Sequence, residues 1–112
     1  MGDNYMRVLY CTSDSKPKVL KIHKDLESIS ELMETNFFET VTYKDMLLIY
    51  DPKGILKYST YKELEGLKLR GPFIFTGNDI LEKDFKSLNI NQIRYLQEIL
   101  EERQEELEEL EL

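Results

Sequence analysis

The apolar run Met46-Leu47-Leu48-Ile49-Tyr50 stops abruptly at Asp51-Pro52-Lys53-Gly54. It is the most strongly apolar stretch of the chain, yet far short of the roughly 20 residues a membrane helix needs. A run of that length and character belongs in the interior of a sheet. The turn after it is well specified: Pro presets φ and Gly accepts the positive φ that often closes such turns. Ile55-Leu56-Lys57-Tyr58-Ser59 is therefore expected to return antiparallel beside it.

Other β-prone segments surround this one. Residues 5–11, Tyr-Met-Arg-Val-Leu-Tyr-Cys, read as a first strand, and Lys18-Val19-Leu20-Lys21-Ile22-His23 as its hairpin partner across a polar connection ending in Pro17. Phe37–Tyr43 reads as a further strand. Phe73-Ile74-Phe75-Thr76-Gly77 follows Gly71-Pro72 as a last one. Residues 60–70 are ambiguous: Tyr61–Glu65 could form a helical turn, with Leu67-Lys68-Leu69 alternating like an edge strand. Residues 78–89 read as a loop that holds Leu81, Phe85 and Leu88 against the body.

Two helices complete the pattern. Asp25 can cap a first helix whose apolar positions Leu26, Ile29, Leu32 and Met33 recur at helical spacing, with Glu27 placed to suit the helix dipole. The final segment is capped by Asn89 or Asn91 and carries Ile93, Leu96, Leu100, Arg103, Leu107 and Leu110 at spacings of 3, 4, 3, 4 and 3. Those spacings describe a heptad seam with one polar interruption at Arg103. The expected architecture is α+β: an antiparallel sheet of about five or six strands, covered on one face by one packed helix, with a long C-terminal helix. At 112 residues the chain has the size of one domain, with residues 1–100 as the body and 101–112 as an acidic extension of the last helix.

Charge separates the same two parts. Residues 101–112 hold seven Glu against one Arg, −6 of the chain's net −7, which leaves −1 for residues 1–100. A nearly neutral body argues against direct binding to nucleic acid, which needs clustered Lys and Arg. Cys11 is the single cysteine, so no intrachain disulfide can form, and Met1-Gly2-Asp3-Asn4 has no signal-peptide character. The reading is a cytoplasmic chain with no membrane partner.

Catalytic and metal motifs are sparse. The five glycines never form a phosphate-binding loop, and with one His and one Cys there is no material for a zinc site. The one pair worth testing is Cys11 with His23, which hairpin pairing is expected to juxtapose, although no third orienting residue or oxyanion motif accompanies them. Asp79, Glu82 and Asp84 read as solvated loop charges, with a weak cation site as the alternative. The seven tyrosines suit either sheet packing or an interface. No catalytic residue, metal or cofactor is assigned.

Three uses of the last helix remain open. Ile93, Leu96, Ile99 and Leu100 could dock on the sheet while residues 103–112 stand in solvent. Leu100, Arg103, Leu107 and Leu110, flanked by Glu101, Glu105 and Glu108, could instead form a partner-binding or self-association seam. The acidic tail could also act as a charge decoy for a nucleic-acid-binding protein. A homodimer through this helix would have to be antiparallel, because facing rows of Glu repel in a parallel one.

Several segments, taken in order, carry a likeness. Met6-Arg7-Val8-Leu9 opens a strand, and Pro17-Lys18-Val19 leads to Leu26-Glu27-Ser28-Ile29. Then come Phe38-Glu39-Thr40-Val41, Leu48-Ile49-Tyr50-Asp51 with Gly54, Gly71–Gly77, and Asp84-Phe85-Lys86-Ser87-Leu88 with Gln92. Together, over roughly residues 6–97, they resemble a small domain of unknown function encoded by bacteriophages, plasmids and integrated elements of bacteria, mainly Gram-positive ones. The chain departs from that pattern at Glu34-Thr35-Asn36 and at Tyr58-Ser59-Thr60-Tyr61. The resemblance implies a mobile-element setting and transfers no functional residue. The functional expectation is a non-enzymatic accessory protein that binds a host protein and inhibits or redirects it, for example in anti-CRISPR or other anti-defence action. The alternative is a module that sequesters a nucleotide or signalling molecule in a tyrosine-lined pocket.

Overall fold

A computed structural model describes residues 4–111 of the chain, with the side chains of residues 4–101. Its eleven elements are β1 (Tyr5–Cys11), β2 (Lys18–His23), α1 (Leu26–Met33), β3 (Glu39–Tyr43), β4 (Met46–Tyr50), α2 (Gly54–Lys57), β5 (Lys62–Leu64), β6 (Leu67–Leu69), β7 (Phe73–Asp79), β8 (Asp84–Lys86) and α3 (Ile90–Glu111). Six strands form one antiparallel sheet in the order β2-β1-β7-β4-β3, with β8 joined to the far end of β7. β5 and β6 make a separate two-stranded hairpin.

β7 is the centre. Phe73, Ile74, Phe75 and Thr76 are all fully buried, because β1 and β4 flank the strand and both of its faces are covered. Phe73 and Phe75 point to one face, where they meet Leu9, Cys11, Met46 and Leu48 of the neighbouring strands. α3 and the β5–β6 hairpin close that layer with Ile93, Leu96, Leu100, Leu64 and Leu69. Ile74 points to the other face, where Met6, Val8 and Ile49 pack against Ile29 and Met33 of α1. The expected α+β sheet is present, but it is covered on both faces rather than one. The reason lies in the apolar runs of β4 and β7, which do not alternate with polar residues and so need a cover on each side.

Local chemistry sets the helix starts. Asp25 Oδ1 accepts from the Ser28 N–H at 2.8 Å and caps α1. At α3, Asn89 Oδ1 accepts from the Gln92 N–H at 2.8 Å, and Gln92 Oε1 accepts from the Asn89 N–H at 2.9 Å. This reciprocal pair satisfies two otherwise orphaned donors and selects Asn89 as the cap.

Three local expectations are corrected. Residues 55–59 do not return as a strand: Gly54–Lys57 form a single helical turn, since both neighbours of β4 in the sheet are already β3 and β7. Tyr61–Glu65 is no helical turn; β5 and β6 pair across Glu65-Gly66, both at positive φ (47° and 90°), the turn type that matches strand twist. Residues 84–86 form β8 rather than loop.

Leu100 is fully buried inside this core. Truncating it leaves a cavity against the sheet, so Leu100→Ala should lower unfolding stability by about 2–5 kcal/mol in urea titrations. A loss under about 1 kcal/mol would mean that the helix end does not pack as described.

Candidate functional site

The segment between β4 and β7 is tied down by specific side chains. Asp51, buried at the end of β4, accepts from the Lys53 N–H at 2.9 Å and from Lys57 Nζ at 2.9 Å. Its carbonyl accepts from the Gly54 N–H at 3.1 Å. Short Asp side chains favour this kind of bond to nearby backbone at turns. Arg70 donates to the carbonyls of Ser59 at 2.9 Å and Tyr58 at 3.3 Å. Gly54 sits so close to Arg70 that a Cβ would collide with the Arg70 carbonyl oxygen. Gly71, at φ 81°, presses on the Tyr58 ring, where a side chain would be both strained and blocked.

This clamped segment stands beside β3 and leaves a groove of about 550 Å³ between them. Leu48, Leu69 and Phe73 reach it from the core, and Val41, Ile55 and Leu67 line it while remaining exposed. Ile55 is 70% and Leu67 50% accessible. Lys68 and Arg70 stand at its margin, both over the Tyr61 ring at 5.0 and 5.2 Å. Beside them Lys57 Nζ is paired with the lining carboxylate Asp51, while Lys53 Nζ stands over the Phe37 ring. Two cations therefore line a groove in a chain that is acidic overall. Along the groove runs β3, an outer strand of the sheet whose residues Glu39–Thr42 are exposed. The opposite outer strand, β2, carries Lys18 and Lys21, which blunt edge pairing; β3 carries no lysine.

The residues singled out in the sequence fall elsewhere. Leu100 is committed to the core and cannot offer its side chain to a partner, while Glu101 is half-buried at the limit of the described side chains. The helix backbone continues to Glu111, but the side chains of Arg103, Glu105, Leu107, Glu108 and Leu110 lie outside the described residues. Cys11 and His23 are not juxtaposed: Tyr5 pairs with His23 and Tyr10 with Lys18, so the two residues occupy opposite ends of the β1–β2 ladder. The end of one hairpin strand meets the start of the next, which separates them. The exposed His23 stacks on Tyr5 at 4.2 Å. Asp84 pairs with Lys24 at 3.1 Å, which holds its carboxyl below the usual range, and Asp79 Oδ1 accepts from the Glu82 N–H at 3.2 Å. Among the described residues no three His, Cys, Asp or Glu side chains gather as metal ligands.

Two buried groups are chemically quiet. Burial pushes the Cys11 thiol up to about 12, and the nearby Lys62 ammonium only partly offsets that. Lys62 itself is spoken for, donating Nζ to the Ser15 carbonyl. Tyr43 places a buried hydroxyl near Tyr95 and Glu65 without a hydrogen bond of good geometry. Burial first, then those two neighbours, raise its ionisation above the ordinary phenol range.

The groove itself was missed in the sequence. Its lining comes from separated segments that only the tertiary fold brings together.

A family model described as Domain of unknown function (DUF3846) matches residues 6–101. No curated protein and no solved structure matches the chain. The match takes in every element that builds the groove, and none of the described helices is long and apolar enough to cross a membrane.

Two outcomes follow from the buried groups. At pH 8 the Cys11 thiol should resist a disulfide reagent in the native protein and react fully in urea, as a buried thiol with a raised pKa must; rapid labelling without denaturant would contradict its placement. For Tyr43, the folded state keeps its proton where the unfolded chain releases it near pH 10, so stability is intact below about pH 10 and falls as pH rises further. Tyr43→Phe should therefore be neutral or stabilising at pH 7 and should flatten that alkaline decline in thermal melts.

Proposed function

We propose, for a chain that belongs to the family of the Domain of unknown function (DUF3846), that it works by contact rather than chemistry: a non-enzymatic accessory protein of a phage or mobile element that binds a host protein and inhibits or redirects it. Anti-CRISPR or other anti-defence action is the kind of role meant. The observation that carries this reading is the groove beside β3. Exposed Val41, Ile55 and Leu67 lie next to the outer strand β3, with Lys68 and Arg70 in the same lining. Sheet edges accept extended segments through main-chain hydrogen bonds, while adjoining pockets select side chains. Exposed aliphatic residues gathered in one concavity mark such sites more strongly than scattered ones do. The mobile-element setting is supported by the ordered resemblance from Met6 to Gln92.

A second reading has an observation of its own. About 550 Å³ lies within the range of small-molecule clefts, and Lys68, Arg70 and Tyr50 at the lining would suit an anionic ligand with a flat ring, such as a nucleotide. On this reading the protein sequesters that ligand.

One set of variants tests both. Ile55→Asp and Leu67→Asp change exposed positions, so circular dichroism and melting temperature should stay near those of the parent. Capture of a bacterial protein by the tagged full chain should be abolished by either substitution and unaffected by Leu81→Asp, an exposed control far from the groove lining. Equal capture by all three would defeat the contact reading. A nucleotide panel in thermal-shift assays decides the other: a binder present at 100 times its Kd should add about 2.7 kcal/mol to stability.

A further inference from the structure

The groove has a basic, aliphatic lining, and the chain carries its chemical complement at its own end. Residues 102–112 place Leu107, Leu110 and Leu112 among six of the seven terminal glutamates. We infer that the groove receives this acidic, leucine-bearing tail from a second copy of the chain. The inference rests on the groove being a contact surface, as proposed above, and names its occupant when no host protein is bound.

Charge decides between the modes of self-association. A row of Glu facing another row repels, so tail against tail in parallel is disfavoured. The body is near neutral overall, but Lys68 and Arg70 line this concavity, and the single carboxylate lining it, Asp51, is buried and paired with Lys57. That concavity is where an acidic helix gains most. Its apolar surface, which Val41, Ile55 and Leu67 leave uncovered, is matched by the tail's leucines.

Geometry decides between its own tail and a neighbour's. α3 is one helix from Ile90 to Glu111, docked through Ile93, Leu96 and Leu100, and contains neither Pro nor Gly. Sharp helix bends need such residues or an inserted group. The helix therefore runs on for eleven residues after Leu100, about 16 Å at 1.5 Å per residue, without turning back. None of its described residues lines the groove. A neighbour's groove is the reachable one. Two copies exchanging tails reciprocally close the assembly with twofold symmetry and bury two such contacts at once.

The test is the mass of the full chain by light scattering. At low salt it should correspond to two copies, and at high salt to one, because exposed ion pairs are screened. Lys68→Glu, Leu67→Asp, and the tail pair Glu105→Lys with Glu108→Lys should each give the one-copy mass at low salt. Combining Lys68→Glu with the tail pair should restore the twofold mass, since the charges are exchanged rather than lost. A one-copy mass for the parent at low salt overturns the inference. So does a dimer that ignores the groove substitutions, which would be tail-to-tail pairing, or one that ignores the tail substitutions. If the parent is monomeric while Leu67→Asp still abolishes capture of a bacterial protein, the inference falls and the contact reading stands.

Discussion

Everything in this fold depends on covering β7 from both sides. Phe73 and Phe75 must be shielded on one face and Ile74 and Thr76 on the other, in a strand whose first three residues are all apolar. Strands of that kind survive only in the middle of a sheet with a layer on each face. α1 supplies one layer through Ile29 and Met33; α3 and the β5–β6 hairpin supply the other. Fully burying a large aliphatic or aromatic side chain contributes about 1.5–3 kcal/mol, so two layers meeting at one strand account for much of what holds the chain together.

Recruiting the hairpin as half of a layer has a consequence for the surface. The hairpin joins the core through Leu64 and Leu69. The outer part of that face, toward β3, is left without a lid, which is where the groove opens. The groove is thus a by-product of how the core is covered.

Local signals carried most of the fold and little of the site. The β1–β2 hairpin, α1 with its Asp25 cap, and the Asn89 start of α3 were legible because each is written in neighbouring residues. Residues 55–59 were misread because their β-prone composition could not reveal that both sides of β4 were taken by β3 and β7. The Cys11–His23 pair failed for a simpler reason, the sense in which hairpin ends meet. Leu100 shared the heptad spacing of the tail, and periodicity alone cannot tell a residue docked on its own sheet from one offered to a partner. The groove needed tertiary structure, since Val41, Ile55 and Leu67 are unremarkable where they stand in the chain.

The segregation of charge is harder to explain by stability than by contact. Seven of the final twelve residues are Glu, and like charges at a helical spacing of four weaken a helix that carries them. An acidic end would serve solubility equally well if it were spread over the surface. Instead it lies in sequence directly after Leu100, the last residue of the helix in the core cluster, on a body whose apolar groove is lined by Lys68 and Arg70. On the inference drawn above, that separation serves attraction between molecules at a defined surface.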